Sequence, residues 1–127
     1  VLDATPEHVV LGAPLSPNIN HRETVFGGSA SALAILSAWT LLHTKLTASG
    51  RKCTLVIQRN TMCYERAVTG QFVATATTPA SDAWSMFTRM LDRKGRARIT
   101  VSSVLMQDGH AAGHFEGDFV ALDAKNL

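Results

Sequence analysis

Residues 27–50 read GGSASALAILSAWTLLHTKLTASG, and the fold follows from this stretch. Good helix formers run from Ala30 to about Ala48; the turn Gly27-Gly28-Ser29 opens the run and Ser49-Gly50 ends it. The apolar residues of the predicted helix are spread around its axis and leave almost no polar face. A helix that is apolar on nearly all sides is a buried one, so we expect the rest of the chain to cover it.

The segments on either side of this helix carry strand patterns. One strand is predicted before it and four after it: His8–Leu15, Cys53–Val68, Gln71–Thr78, Arg96–Gln107 and His110–Leu122. A shorter helix is predicted over Asp82–Arg93, and Asp108-Gly109 is typical of a two-residue hairpin turn. One helix buried against about five antiparallel strands is an α+β arrangement. A sheet wrapped around a central helix resembles the hotdog fold.

Alternation along the last strand predicts which of its side chains face the core. Phe115, Phe119 and Ala121 share one face, and the polar residues share the other: His114, Glu116 and Asp118. The first set is therefore expected to pack against the helix.

Length and composition exclude several functional classes. The chain has 127 residues, which we interpret as a single domain over residues 1–127, and a net charge of +2, too small to indicate nucleic-acid binding. Cys53 and Cys63 lie on one predicted strand, about 33 Å apart, too far for a disulfide. Free thiols fit a cytoplasmic protein. His110 and His114 are about 13 Å apart on an extended strand, so no metal site is expected.

Residues 24–44 contain no Asp, Glu, Lys or Arg, and 21 such residues are long enough to span a bilayer. The stretch also holds a glycine pair, serines, threonines and His43, and the rest of the chain has the pattern of a soluble sheet. We therefore expect neither a signal peptide nor a membrane span.

The segment from Asn18 to Ser29 (NINHRETVFGGS), followed by the apolar helix, resembles one hotdog group closely. That group is the thioesterase-type domain found C-terminal to a GNAT acetyltransferase in some bacterial proteins and alone in others. Tyr64–Gly70 is similar to its Tyr-x-Arg-Pro-Val-x-Gly strand end, with Ala67 in place of proline. Two further segments fit, Arg93–Arg98 and Phe115–Gly117, and the resemblance extends from about His8 to Leu122.

The resemblance implies activity on an acyl thioester of acyl carrier protein or coenzyme A. Members of the group are described as malonyl-ACP decarboxylases that make acetyl-ACP for fatty acid synthesis, and the older label is thioesterase. The resemblance also implies a homodimer, or a dimer of dimers, with active sites at the subunit interface. No cofactor is implied, because phosphopantetheine belongs to the substrate.

The glycine pair has a clear chemical use at the start of a helix. The first N–H groups of a helix lack intrahelical partners, and glycine lets a ligand approach them closely. Gly28, with Gly27 and Ser29, is thus a candidate oxyanion hole for a thioester carbonyl, although a tight turn capped by serine explains the same pattern. Asn20 is the candidate side-chain donor; the alternative is an asparagine that holds its own loop.

Four further residues of this loop are weaker candidates. His21 is a candidate acid or base, and Arg22 is a candidate contact for an anionic acyl group or the phosphopantetheine phosphate. Val25 and Phe26 are expected to line a dry acyl pocket. Asn60 and Tyr64 share one face of the long strand, with Thr61 on the other, and are candidate substrate contacts or dimer contacts.

The predicted helix lacks the base that hydrolysis needs. Hotdog hydrolases of the phenylacetyl-CoA type carry an aspartate about two turns after the glycine pair; here that position is Ile35. Without a base to activate water, decarboxylation is favoured over hydrolysis. A base brought by a partner subunit, such as Glu65 or Asp82, keeps the thioesterase reading open, and non-catalytic acyl binding is a third reading.

A run of basic residues follows the second predicted helix. Five occur within ten positions: Arg89, Arg93, Lys94, Arg96 and Arg98. The run fits the acidic surface of a carrier protein, and it fits an ordinary solvated helix end equally well.

Overall fold

The computed structural model describes residues 3–5, 7–13, 27–66 and 71–123. Its elements in chain order are β1 Asp3–Ala4, β2 His8–Ala13, α1 Gly27–Ala48, β3 Cys53–Tyr64, β4 Phe72–Thr77, α2 Ser81–Lys94, β5 Arg96–Gln107 and β6 His110–Asp123. The strands form one antiparallel sheet in the order β1-β2-β4-β5-β6-β3. The predicted α+β hotdog architecture is therefore confirmed, with the two-residue β1 added to the five predicted strands.

Helix α1 lies on the sheet through a face of small and aliphatic side chains. Its buried residues are Ala30, Ala34, Ser37, Ala38, Leu41, Leu42 and Leu46. Ala74 and Ala76 of β4 are also fully buried. Alanine on both surfaces lets the helix backbone approach the strands closely, so that the larger leucines fill the space on either side.

One buried polar contact joins α1 to β5. The hydroxyl of Ser37 donates to the carbonyl oxygen of Ala34 at 2.8 Å and lies 2.7 Å from the hydroxyl of Ser103. The Ser37 hydroxyl has one proton, which it donates to the Ala34 carbonyl oxygen. Ser37 therefore accepts a hydrogen bond from the Ser103 hydroxyl. Both serines are almost fully buried, at 0% and 1% exposure. Their hydrogen bond therefore fixes the position of α1 relative to β5.

The second face of α1 is not covered by any of the residues that the structure describes. Leu36 is 51% exposed, and Ile35 and Trp39 are only half-buried. The expectation that α1 is buried on nearly all sides is thus wrong for this face. An apolar sequence shows that burial is favourable, but one curved sheet can cover only one side of a cylinder.

The β5–β6 hairpin forms as its sequence predicts. Asp108 and Gly109 both have positive φ, at 52° and 77°, as a type I′ turn requires. The alternation in β6 is confirmed as well, because Phe115, Phe119 and Ala121 are at most 2% exposed.

Strand β3 is shorter than predicted and lies at the edge of the sheet. It ends at Tyr64 rather than Val68, and it pairs along one side with β6. The register shifts between Ile57 and Arg59. Beyond this bulge Asn60, Met62 and Tyr64 face the side of the sheet that carries α1.

Helix α2 packs on the same side of the sheet as α1. Phe87 and Leu91 are its buried residues, and Gly95 ends it with φ 75° and an N–H bond to the carbonyl of Leu91 at 2.8 Å. The ammonium of Lys45 lies 4.7 Å from the centre of the Trp84 ring. Helix α2 therefore contacts the last turns of α1.

Three exclusions drawn from the sequence can be compared with the described residues. Cys53 and Cys63 are free thiols, as expected. No helix among these residues combines the length and hydropathy needed to cross a membrane. Within the same residues, no three His, Cys, Asp or Glu side chains come together as a metal site.

The buried serine pair gives a prediction for stability. Ser37→Ala should lower the free energy of unfolding by about 1–3 kcal/mol, because it leaves the Ser103 hydroxyl buried without its partner. The double variant Ser37→Ala/Ser103→Ala should be more stable than Ser37→Ala alone, since no hydroxyl is then left unpaired. Urea unfolding of wild type, both single variants and the double variant measures this. A double variant less stable than Ser37→Ala would contradict the assignment.

Candidate functional site

The end of β3 is tied to the start of α1. A hydrogen bond joins the side chains of Tyr64 and Ser31, and Ser31 lies in the second turn of α1. Burial raises the pKa of the Tyr64 phenol above its ordinary value, while the bond to Ser31 acts in the opposite direction. The ring is 53% exposed, so the phenol stays accessible to a ligand at the helix start.

Asn60 lies on the same side of β3 as Tyr64, and Thr61 on the other, as period-two counting predicts. In the β6 register, Asn60 pairs with Gly117 and Tyr64 pairs with Gly113. Packing leaves little room for a side chain at either glycine. A Cβ on Gly117 would lie 2.6 Å from the Phe115 ring, and one on Gly113 would lie 3.0 Å from the Cys63 carbonyl oxygen. The strand opposite the two candidate residues therefore presents no side chains of its own.

Helix α1 begins at Gly27, three residues earlier than the predicted run of helix formers. Gly27, Gly28 and Ser29 therefore form its first turn, where backbone N–H groups lack intrahelical acceptors. The first turn contains no acidic residue, so nothing there competes with an anionic ligand. The other candidates, Asn20, His21, Arg22, Val25 and Phe26, lie outside the described residues.

An apolar groove of about 640 Å³ runs along the uncovered face of α1. Its walls are Ala32, Ile35, Leu36, Trp39, Leu55, Ile57 and Phe119. We call this feature the apolar groove. None of its lining side chains is ionisable. Ile35 is one of them, so the position at which we expect an aspartate in a hydrolase is apolar and lines the groove.

The two acids proposed as bases from a partner have contacts of their own. The carboxylate of Glu65 contacts Nδ1 of His114, a residue on the side of the sheet away from α1. The carboxylate of Asp82 accepts the N–H of Ala83 at the start of α2, 2.9 Å away. Within one chain, neither contact lies on the side of β3 that faces Ser31.

Sequence reasoning missed Ser31 as a partner of the candidate site. The available signal was a hydroxyl three residues after Gly28 in an otherwise apolar helix. It also missed that Leu36 is exposed and Trp39 only half-buried, because the apolar sequence predicted burial of the whole helix. Tyr64 and Asn60 were found because strand alternation places them on one face.

Comparison with known proteins agrees with this geometry. Residues 1–123 match the model of a family described as "Putative thioesterase (yiiD_Cterm)". The chain belongs to this family. No curated protein matches the sequence.

Solved structures show the same fold. A protein of unknown function from Chlorobaculum tepidum is 28% identical, with a TM-score of 0.88, 92% of this chain and 77% of that chain covered. A thioesterase candidate from Shewanella oneidensis is 24% identical, with a TM-score of 0.85; the match covers 95% of this chain and 81% of that chain. A single-residue variant of the phenylacetic acid degradation protein PaaI from Thermus thermophilus is 19% identical, with a TM-score of 0.69, and 96% and 90% covered.

The Tyr64 environment gives a prediction for its titration. Tyr64 is the one tyrosine in the sequence, so the ultraviolet signal of phenolate formation reports on it alone. We expect its pKa above the ordinary value of about 10, because burial disfavours the charged phenolate. Ser31→Ala should raise this pKa further, since the bond to Ser31 lowers it. A lower pKa in Ser31→Ala, with the fold intact by circular dichroism, would contradict the contact.

Proposed function

We propose that this family member decarboxylates a malonyl thioester, carried by acyl carrier protein or coenzyme A, to the acetyl thioester. The bond between the malonyl α-carbon and its carboxylate breaks, and its electron pair moves into an enolate whose charge lies on the thioester oxygen. Carbon dioxide leaves, and the α-carbon takes up one proton. The thioester bond stays intact, and no cofactor is needed beyond the pantetheine arm of the substrate.

One observation carries the proposal: among the described residues, those that line the apolar groove beside α1 offer no ionisable group. Hydrolysis of a thioester at neutral pH needs a base that takes a proton from water. Ile35, Leu36 and Trp39 supply none, and a second copy that covers their apolar surfaces would exclude water. Decarboxylation needs no attacking water, and its product leaves as a neutral gas, so the same surroundings favour it.

The start of α1 supplies the stabilisation that an enolate needs. Backbone N–H groups around Gly28 have no intrahelical partner, and the helix dipole adds positive potential. We assign the thioester oxygen to Gly28 and Asn20, with Gly27 and Ser29 shaping the turn. His21 is the proposed acid that returns a proton to the α-carbon.

The remaining candidates hold the substrate. Arg22 is the proposed contact for the malonyl carboxylate or the pantetheine phosphate, and Val25 and Phe26 wall the acyl group. Tyr64, held by Ser31 at the helix start, and Asn60, on the same side of β3, are the proposed contacts for the amides of the pantetheine arm.

A thioesterase is the second candidate function, and the description of the family favours it. This activity requires a base that the lining of the apolar groove does not contain, so the base would have to be His21 of the loop before α1 or a residue of a partner subunit. The two functions differ in one product: hydrolysis releases the carrier thiol, whereas decarboxylation keeps it acylated.

We also propose that two copies of the chain associate through β3 as a homodimer. The strand lies at the edge of the sheet, and its 12 residues pair on one side only with β6 among the described residues. Such an edge is a template for another strand. The apolar groove adjoins it and includes Leu55 and Ile57 of β3. A second copy would cover both the edge and the groove, and a pair of such dimers is the larger assembly of the same proposal.

Product analysis tests the proposed reaction. Malonyl-ACP and malonyl-CoA should both yield the acetyl thioester, with a mass loss of one carbon dioxide and no free thiol by intact mass spectrometry. Asn20→Ala should lower kcat by about 10²–10³, because one oxyanion donor is lost. Tyr64→Phe should lower kcat/KM by up to about tenfold, the effect of one hydrogen bond of about 1 kcal/mol.

Thr61→Ala is the matched control, because Thr61 is on β3 but faces away from α1; its activity should stay within about twofold of wild type. Appearance of free carrier thiol together with malonate would overturn decarboxylation in favour of hydrolysis. Unchanged activity in Asn20→Ala would overturn its assigned role.

Light scattering after size exclusion tests the dimer. Leu36→Asp places a charge in the apolar groove and should shift the protein from dimer to monomer, since an unpaired buried charge is costly. Met86→Asp is the matched control, because Met86 is 68% exposed on α2, away from β3. A monomeric wild type, or a Leu36→Asp variant that remains dimeric, would contradict the proposal.

A further inference from the structure

The outer face of α2 combines exposed methionines with arginines. Met86 and Met90 are 68% and 42% exposed, although large apolar side chains are usually covered. Arg89 and Arg93 are exposed as well. These four residues follow the helical spacing i, i+3, i+4, i+7 and therefore lie on one face. We call this face the α2 surface.

The basic run of the sequence divides between two sides of the sheet. Arg89 and Arg93 belong to the α2 surface. Arg96 and Arg98 of β5 alternate with the buried Ala97 and Ile99, on which α2 packs. Arg98 also lines the cleft between α2 and β5, beside Met86 and Met90, but its guanidinium donates to the side-chain oxygen of Gln58 on β3 at 3.3 Å. The side chains of Arg96 and Arg98 therefore project from the side of the sheet opposite to α2. This split provides a pair of equally charged residues that do not belong to the α2 surface.

Acidic residues near the α2 surface do not cancel its charge. Asp92 forms a two-point ion pair with Arg51, at 3.0 and 2.8 Å, and this bond lowers the pKa of its carboxyl. Asp82 lies one turn before Met86, and its carboxylate is bonded to the N–H of Ala83. The arginine end of the α2 surface therefore keeps an excess of positive charge.

We propose that the α2 surface docks the acidic carrier protein that bears the acyl thioester. Methionine and arginine are the residue types enriched in protein–protein interfaces, while lysine and acids are depleted there. Met86 and Met90 would contact the apolar positions of an acidic helix, and Arg89 and Arg93 its carboxylates, which also speeds association. The inference rests on the carrier-bound substrate proposed above.

The sheet register relates this surface to the site. Arg96 pairs with Leu122, and Leu122 pairs with Thr54, so α2 lies level with the start of β3. Tyr64 lies at the other end of β3, about 36 Å away at ~3.3 Å per residue. In the proposed dimer, a two-fold axis makes the edge strands antiparallel. The partner's site is then about three strand spacings, ~14 Å, from this end of β5, so the docked carrier serves the partner's site.

Charge reversal on the two arginine pairs tests the docking surface. Arg89→Glu/Arg93→Glu should weaken binding of malonyl-ACP at least tenfold, measured by fluorescence anisotropy of labelled carrier protein. Turnover of malonyl-pantetheine, which has no protein to dock, should stay within about twofold. Arg96→Glu/Arg98→Glu carries the same change in net charge on the other side of the sheet and should bind carrier protein nearly as wild type does.

Equal weakening by both double variants would overturn the proposal, because net charge alone would then explain binding. No carrier-protein binding by wild type, or unchanged binding by Arg89→Glu/Arg93→Glu, would overturn it as well. The binding assay does not depend on the reaction, so failure of the decarboxylase proposal shows separately, as an absence of acetyl-pantetheine among the products of malonyl-pantetheine.

Mixed dimers test whether carrier protein docked on one subunit delivers its acyl group to the site of the other subunit. Arg89→Glu/Arg93→Glu and Asn20→Ala subunits, co-expressed with different tags and purified as mixed dimers, should regain roughly half of the wild-type activity on malonyl-ACP. In such a dimer the intact surface of one subunit faces the intact site of the other. A mixed dimer as inactive on malonyl-ACP as the parent variants would overturn this assignment.

Discussion

The close contact between α1 and the sheet is the constraint on which the rest of the structure depends. Ala34 and Ala38 of the helix and Ala74 and Ala76 of β4 remove the side-chain layer that usually separates a helix from a sheet. A larger residue at any of these four positions would push α1 away from the sheet and break the hydrogen bond between Ser37 of α1 and Ser103 of β5. With α1 packed close to the sheet, Ser31 in its second turn lies beside Tyr64, and the opposite face of α1 remains open.

In the proposed dimer, that open face would serve both association and chemistry. The apolar groove is too large and too apolar to remain in water at no cost, so its burial by a second copy would be favourable. The same burial would exclude water from the start of α1, where an enolate oxygen would meet backbone N–H groups. The second copy would then form part of the site. The groove lining would lack a base because the proposed reaction does not need one.

Much of this arrangement was predictable because local patterns determine it. Apolar periodicity identified α1, Asp108-Gly109 identified the hairpin, and strand alternation placed Tyr64 and Asn60 on one side. Other features depend on the tertiary fold. An all-apolar helix does not reveal which face meets the sheet, so the exposure of Leu36 was missed. The basic run crosses the end of α2 at Gly95, and only the fold divides it between two sides.

The central claim is that the site breaks a carbon–carbon bond without activating water. The most direct test is turnover of malonyl-ACP in water enriched in oxygen-18, with mass spectrometry of the carrier-bound and released acyl products. The account predicts acetyl-ACP whose thioester carbonyl carries no label from solvent. Released malonate with one solvent oxygen in its carboxyl group, together with free carrier thiol, would contradict it.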